Sequence, residues 1–261
     1  MHINLNADLG EGFGPWRMGD DRALLAIVRS ANVACGFHAG DPMVMTDTVR
    51  HAREAGVSIG AHPAFPDLQG FGRRPMQLSP SELQAVIGYQ VGALMGIAQA
   101  QGVAVTHVKP HGAMNNMACE DAAMARVVAE AVKAIDPGLI LLAPALSELA
   151  AAGRAAGLRV ADEVFADRSY TDEGNLTPRS QPGAVLHDSD TCVAHVLRMV
   201  ERGGIVAASG KFLPCSFASV CVHGDNAHAV ATAKAVRDAL LAAGHTIEPL
   251  PKLVPPVDKV R

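Results

Sequence analysis

Short apolar segments alternate along the chain with longer segments whose apolar residues recur at helical spacing. The apolar segments predict seven strands, at 3–8, 31–35, 57–61, 104–109, 139–143, 158–164 and 219–223. The helical segments lie near 20–29, 41–56, 79–101, 120–135, 146–156, 188–202 and 226–243. Strands that alternate with helices are typical of a parallel sheet covered by helices. We therefore expect an α/β protein built as one domain over residues 1–261.

Two helix starts and one helix face carry additional signals. Asp41 before Pro42 predicts an N-cap, and the sequence SPSE at 79–82 predicts a capping box. Gly88, Gly92 and Gly96 share one face of the helix that follows. We expect that face to pack closely on the sheet, with a dimer contact as the alternative. The Pro-rich residues 248–261 are expected to form an extended tail on the surface.

Composition and charge exclude several classes of protein. Of 261 residues, 49% are hydrophobic and 18% are charged, so the chain can form a substantial core. The formal net charge of -4 provides no basic field for nucleic acid or an anionic membrane. Apolar runs are too short for a membrane helix, and the N-terminus lacks a secretory signal pattern, which together predict a cytoplasmic protein. Five dispersed cysteines without a CxxC pair indicate neither a disulfide framework nor a thiolate zinc site.

The first predicted strand carries a polar row that a sheet covered on both faces would not have. Asn4, Asn6 and Asp8 alternate with apolar residues along it. In a barrel such a row lines the interior, and Asp8 then reaches the C-terminal mouth, where barrels of this kind place their chemistry. The same face of another strand carries His107 and Lys109.

Polar residues collect at the ends of the predicted strands and in the loops that follow. One barrel mouth would bring this set together: Asp8, Glu11, His38, Asp41, His62, Lys109, His111, Asp167, Arg168, His223 and Asp225. Any single histidine has a structural role as its alternative. The recurrence at strand ends favours a functional site.

Nucleotide and serine-nucleophile motifs are not supported. The segment 10–15 follows a strand, but Pro15 replaces the third glycine of a dinucleotide loop. The segment 204–212 has the wrong spacing for a P-loop, and Phe212 stands where a Ser or Thr would hold magnesium. The segment GVSIG at 56–60 matches GxSxG in sequence only, because it lies at a predicted strand and not at the strand-to-helix turn of a nucleophile elbow. A water activated by histidine or carboxylate is therefore the more plausible nucleophile.

Six separated segments resemble the LamB/YcsF family in the same order. Their sequences are NLNADLGE at 4–11, NVACGFHAGD at 32–41, GAHP at 60–63 with FGRR at 71–74, HVKPHG at 107–112, EVFADR at 163–168 with Tyr170, and CVHGD at 221–225. The chain departs from the family pattern at Met114 and Asn115, where Leu-Tyr is usual. A tyrosine role at that point is therefore not carried over.

The resemblance implies a fold, a reaction and partners. The implied fold is a seven-stranded parallel βα barrel, TIM-like and similar to glycoside hydrolases and deacetylases. The implied reaction is the ATP-dependent hydrolytic opening of 5-oxoproline, a small lactam, to glutamate, together with two partner subunits of a 5-oxoprolinase. Because the chain has no evident nucleotide motif, we expect the partners to bind ATP and phosphorylate the lactam, and this barrel to carry out the hydrolysis.

Substrate chemistry then suggests roles at the mouth. Ring opening needs a base for water and an acid for the leaving amine, and the candidates are Asp8, His62, His111 and His223. Lys109 and Arg168 are the candidate cations for an anionic substrate, with Arg73 and Arg74 as weaker ones on a loop. A buried structural ion pair is the alternative for Lys109. The expected substrate-binding residues are Glu11, His38, Asp41, Arg73, Asp167, Arg168 and Asp225.

Two other functions stay open from the sequence. A metal-dependent deacetylase or amidohydrolase could use Asp8, His38 and His62, although no compact metal motif is present. A non-catalytic lactam-binding subunit would use the histidines for recognition alone. Because the candidate ligands are scattered, we expect no tightly held zinc, and the sequence leaves open whether any metal binds.

Overall fold

Seven parallel strands close into a barrel. The computed structural model describes residues 1–223 and 229–255. The strands of this part of the chain are β1 (His2–Leu9), β2 (Ser30–Ala34), β3 (Ser58–His62), β4 (Val105–Val108), β5 (Ile140–Pro144), β6 (Arg159–Phe165), β7 (Gly204–Val206), β8 (Phe212–Pro214), β9 (Ser219–Val222) and β10 (Thr246–Ile247). The barrel runs from β1 through β6 to β9, and β9 pairs with β1 to close it. This confirms the predicted barrel and its single-domain architecture.

The helices of the described residues surround the barrel, and all but two of them lie where the sequence predicts a helix. They are α1 (Asp21–Leu25), α2 (Pro42–Glu54), α3 (Pro80–Ala100), α4 (Gly112–Glu120), α5 (Ala122–Ile135), α6 (Glu148–Ala155), α7 (Ser189–Arg202), α8 (Ala229–Ala242) and α9 (Leu250–Leu253). The capping box is present: the Ser79 and Glu82 side chains each accept a hydrogen bond from the other residue's backbone N–H. Asp41 caps α2 by accepting from two backbone N–H groups in its first turn.

Five elements escaped the sequence prediction. Helix α4 begins just after His111, and no side chain among the described residues caps it, so its start carries no sequence signal. Strands β7 and β8 form a separate antiparallel ribbon of only three residues each. Strand β10 adds two residues beside the start of β1. The predicted extended tail is wrong at α9, because Leu250 is buried against the apolar cluster of β5 and β6. Residues 256–261 lie outside the described residues.

The glycine face of α3 does not pack on the sheet, which corrects the expectation. A Cβ added at Gly88, Gly92 or Gly96 would meet no atom of the described residues within 4 Å. Helix α3 instead buries its opposite side through large apolar residues such as Ile87 and Leu94.

The barrel interior is a hydrogen-bonded polar stack, as the alternation in β1 predicts. Asn4 donates to the Ser30 hydroxyl at 2.9 Å, and Asn6 donates to the Ser219 hydroxyl at 2.8 Å. All four side chains are fully buried. Because buried amides are costly unless they are paired, this stack fixes the inward faces of β1, β2 and β9 below the mouth.

Candidate active site

A cavity of about 630 Å³ opens at the C-terminal ends of the barrel strands. Most of the predicted site residues line it: Asp8, Glu11, His62, Arg73, Lys109, His111, Arg168 and His223. These side chains come from segments that are far apart in the sequence. The barrel mouth therefore gathers them as the strand-end pattern predicts.

Lys109 forms the centre of a buried charge cluster at the cavity floor. Its Nζ lies 3.0 Å from Asp8 Oδ1 and 3.4 Å from Glu163 Oε2. It also donates to Cys221 Sγ at 3.0 Å, and it lies 5.2 Å from the centre of the Phe165 ring. The ammonium is therefore held by protein groups, as the structural alternative for Lys109 expects.

Opposite charges set the ionisation of this cluster. Burial raises the pKa of Asp8, but His62 and Lys109 outweigh it and hold that pKa well below its usual value. Burial lowers the pKa of Lys109, whereas Asp8, Cys221 and Glu163 raise it well above its usual value. The pKa of Glu163 is raised, chiefly by burial. Asp8 and Lys109 are thus an ion pair at neutral pH.

His62 and His111 face each other with their outer nitrogens fixed by backbone carbonyls. His62 Nδ1 donates to the Lys109 carbonyl oxygen at 2.6 Å, and His111 Nε2 donates to that of Phe71 at 2.9 Å. Since a carbonyl only accepts, these two nitrogens carry the ring protons. The other two ring nitrogens, His62 Nε2 and His111 Nδ1, lie 2.9 Å apart. His62 Nε2 is also 3.3 Å from Asp8 Oδ2, and His111 Nδ1 is 3.6 Å from Glu11 Oε1.

His38 lies behind this pair rather than on the cavity wall. Its ring stacks on His111 with the centroids 3.9 Å apart, and its Nε2 lies 3.1 Å from Glu11 Oε1. Burial lowers the pKa values of His38 and His111 well below normal, and neighbouring histidines lower both further. Both rings are therefore neutral at pH 7.

His223 forms a second, separate proton-handling pair with Asp167. Its Nδ1 lies 2.7 Å from both Asp167 carboxylate oxygens. Burial lowers the pKa of His223, but the Asp167 charge and hydrogen bond outweigh it and raise that pKa above the usual value. Asp167 does not line the cavity and acts on the site only by its contact with His223.

The arginines and the remaining acids have different positions. The Arg168 guanidinium donates to the carbonyl oxygens of Ala184 and Thr177, so it fixes the loop over the cavity.

Asp41 does not line the cavity. Its carboxylate caps α2 and also accepts a hydrogen bond from Gly14 N. Arg74 pairs with Asp67. Asp225 lies outside the described residues.

Glu163, Asn115 and Arg179 were not among the predicted site residues. Glu163 contacts Lys109 from β6, and its position two residues before the end of the strand was the available signal. Asn115 and Arg179 both line the cavity. Arg179 comes from the long segment between β6 and α7, whose path no sequence pattern indicates.

Within residues 1–223 and 229–255, two groups of side chains could hold a metal ion. The potential ligand atoms of Glu11, His38, His62 and His111 all lie within 4.8 Å of one another. Asp8, Cys221 and His223 form a second group by the same distance. Sequence spacing did not indicate either group, because each is assembled from different strand ends.

Fold and site together define a TIM-like βα barrel with an ionisable cavity at its C-terminal mouth. The chain belongs to the LamB/YcsF family, whose pattern matches residues 3–254. This confirms the resemblance drawn from the six sequence segments.

Known proteins similar to the chain fit this assignment. A 5-oxoprolinase subunit from Azoarcus sp. is 62% identical and covers 97% of this chain and 99% of its own length. The crystal structure of a lactam utilization protein from Thermus thermophilus is 44% identical, with a TM-score of 0.90, and covers 96% of this chain and 100% of its own. The catalytic domain of a peptidoglycan N-acetylglucosamine deacetylase from Eubacterium rectale, at 13% identity, TM-score 0.52 and coverage of 95% and 88%, shares the fold alone.

No helix within residues 1–223 and 229–255 combines the length and apolar character needed to cross a membrane.

Proposed function

We propose that this chain is the hydrolytic component of a multi-subunit 5-oxoprolinase, opening the 5-oxoproline ring to give glutamate. The observation that carries the proposal is that one cavity is lined by His62 and His111, close to the Asp8 and Glu11 carboxylates, and by His223, which is paired with Asp167. His62 and His111 each direct one ring nitrogen toward a carboxylate, Asp8 and Glu11 respectively, whereas Asp167 favours the protonated form of His223. The names of the relatives supply the substrate and the expectation of a multi-subunit complex.

The proposed reaction needs a base for the attacking water and an acid for the ring nitrogen. A water loses one proton to the Asp8 carboxylate, which lines the cavity beside His62, as its oxygen bonds to the carbonyl carbon. The ring C–N bond then breaks, and His223 gives a proton to the departing nitrogen. The products are a carboxylate and an amine within one molecule of glutamate.

The partner subunits bind ATP in the proposed reaction. A lactam is a stable amide, and transfer of the ATP γ-phosphoryl group to its carbonyl oxygen would activate the carbonyl carbon. Because this chain has no recognisable nucleotide loop, we assign that step to two partner subunits. Attack by one water and breakage of the ring C–N bond then give a glutamyl phosphate. A second water cleaves this acyl phosphate, so that 5-oxoproline, ATP and two waters give glutamate, ADP and phosphate overall. We expect the complex to work in the cytoplasm.

Positive charge for the substrate anions comes from the loops rather than from the cavity floor. Lys109 is held by Asp8 and Glu163, and Arg168 is bonded to backbone carbonyls. Arg73, whose guanidinium also lies 5.0 Å from the centre of the Phe71 ring, and Arg179 line the mouth with Arg168, and they are the proposed contacts for the substrate carboxylate or a transferred phosphoryl group.

The test is glutamate release from 5-oxoproline and ATP by purified subunits, each omitted in turn. We expect release only with this chain and its partners together, and none from this chain alone. Release by the partners without this chain would contradict the proposal. Binding of 5-oxoproline by this chain in a complex whose turnover does not depend on it would support a purely binding role. Removal of acetyl groups from N-acetyl sugars would support the deacetylase alternative.

A further inference from the structure

Two buried imidazole nitrogens lie in an arrangement that requires a positive charge between them. The ring protons of His62 and His111 are committed to the carbonyl oxygens of Lys109 and Phe71. With both rings neutral, two lone pairs face each other across 2.9 Å. Lone pairs at that distance repel unless a cation lies between or beside them.

A carboxylate completes the donor set on the same side. Glu11 Oε1 lies 3.6 Å from His111 Nδ1, and the atoms of this group all lie within 4.8 Å of one another. Two imidazoles and one carboxylate are a common ligand set for divalent first-row transition metals. Glu11, His62 and His111 all line the cavity, so solvent and substrate can reach this point.

Each of the three donors is oriented by a group behind it. Backbone carbonyls fix the two rings, and His38 Nε2 lies at hydrogen-bond distance, 3.1 Å, from Glu11 Oε1. His38 is buried and stacks on His111, which fixes its own position. Such outer partners are characteristic of metal-binding histidines and carboxylates, because they fix the tautomer and the direction of the lone pair.

We propose that Glu11, His62 and His111 bind one divalent transition-metal ion at the cavity wall, with the remaining coordination positions open to water or substrate. Metal–nitrogen bonds of about 2.0 to 2.1 Å span the observed nitrogen separation at roughly a right angle, which suits neighbouring ligands of a six-coordinate ion. The ion would lower the pKa of a bound water. The proposal depends on donor geometry and not on the lactam substrate.

The second potential ligand group is a poorer site for a cation. Lys109 Nζ lies 3.0 Å from both Asp8 Oδ1 and Cys221 Sγ, which are two of the three donors. An ammonium at that distance repels a metal ion. Burial also raises the pKa of Cys221 well above its usual value, and a metal needs the thiolate.

The test uses the full chain, freed of metal by a chelator and titrated with Zn²⁺ and then with Co²⁺. We expect one ion per chain by elemental analysis and calorimetry. The Co²⁺ form should show weak visible bands, as six-coordinate cobalt does. Glu11→Gln and His111→Gln should each weaken binding by at least about a hundredfold, while the unfolding midpoint confirms that each variant is folded.

Two further variants separate this site from adventitious binding by other histidines. His223→Gln changes the same cavity but none of the three ligands, so it should bind Zn²⁺ as the unaltered chain does. His38→Phe keeps a ring against His111 but removes the partner of Glu11, and it should weaken binding by about 10- to 100-fold.

Three results would overturn the proposal. They are the absence of stoichiometric binding, equal loss of binding in His223→Gln, and unaltered binding in both ligand variants. A proton shared by His62 and His111, seen by NMR in a chain that binds neither ion, would identify the cation as H⁺ instead. None of these measurements needs turnover, so failure of this proposal leaves the proposed hydrolysis untouched.

Discussion

Lys109 Nζ lies 3.0 Å from Asp8 Oδ1, and both side chains are almost completely buried. The pair links β1 to the segment after β4 at the centre of the barrel mouth. Glu163 adds a second carboxylate 3.4 Å from the same ammonium. Each partner of this cluster therefore depends on the others for its charge to be tolerated in the interior.

Replacing Lys109 should destabilise the fold as well as the site. Lys109→Met leaves Asp8 and Glu163 buried without their cation, and we expect a loss of about 3–5 kcal/mol in the free energy of unfolding. The urea midpoint measures it. Lys234→Met is the matched control, because Lys234 is exposed and should change stability by less than about 0.5 kcal/mol. Equal midpoints for the two variants would refute the buried pair.

The fold was more predictable than the site. The strands were visible as short apolar segments between the helical ones, and Asp41 and Ser79 marked helix starts by local hydrogen bonding. Helix α4 and the β7–β8 ribbon lacked such local signals, since tertiary contacts rather than caps define them. The tail was misjudged because the burial of Leu250 depends on a distant cluster.

Site residues were predictable as a group but not in their roles. Strand periodicity brought Asp8, Lys109 and His223 to one mouth, whereas only coordinates show that Lys109 is held by two acids. Asp41 was misplaced for a different reason. Its carboxylate serves the local cap of α2, which a strand-end pattern cannot distinguish from a site position.

Asp167 should control the proton affinity of His223. Asp167→Asn removes the charge that raises the His223 pKa while the burial that lowers it remains, so that pKa should fall. If protonated His223 is the acid, activity declines as pH rises through its pKa, and the variant's decline should begin at lower pH. NMR titration of His223 and the pH profile of glutamate release measure the two effects. An unchanged His223 pKa in Asp167→Asn would refute the coupling between the two residues.

His107 should make the fold sensitive to acid. Burial lowers its folded pKa to about 3, whereas the unfolded value is about 6.5. Below about pH 6.5 the unfolded chain binds a proton that the folded chain does not, so stability falls by about 1.4 kcal/mol per pH unit. Between pH 7 and about pH 5, His107→Gln should lose about 2 kcal/mol less than the unaltered chain in urea titrations. Equal losses would contradict the assignment.

A matched pair of glycine substitutions tests the packing of the barrel interior. Gly60 on β3 leaves room for the His107 ring, and a Cβ there would clash with three of its atoms. Gly60→Ala should therefore cost about 1–3 kcal/mol. Gly96→Ala on the open face of α3 should instead stabilise by about 0.5–1 kcal/mol, because alanine is the better helix former. Thermal unfolding compares them, and similar shifts in both would contradict the packing described.

The central claim is that this cavity performs the ring-opening hydrolysis, and His223→Gln in the reconstituted complex tests it most directly. Glutamate release from 5-oxoproline and ATP hydrolysis are measured together on complexes with equal amounts of folded chain. We predict that glutamate release falls by about a hundredfold or more, as expected when a general acid is lost, while the partners still hydrolyse ATP. Glutamate release at the unaltered rate would contradict this role for the cavity.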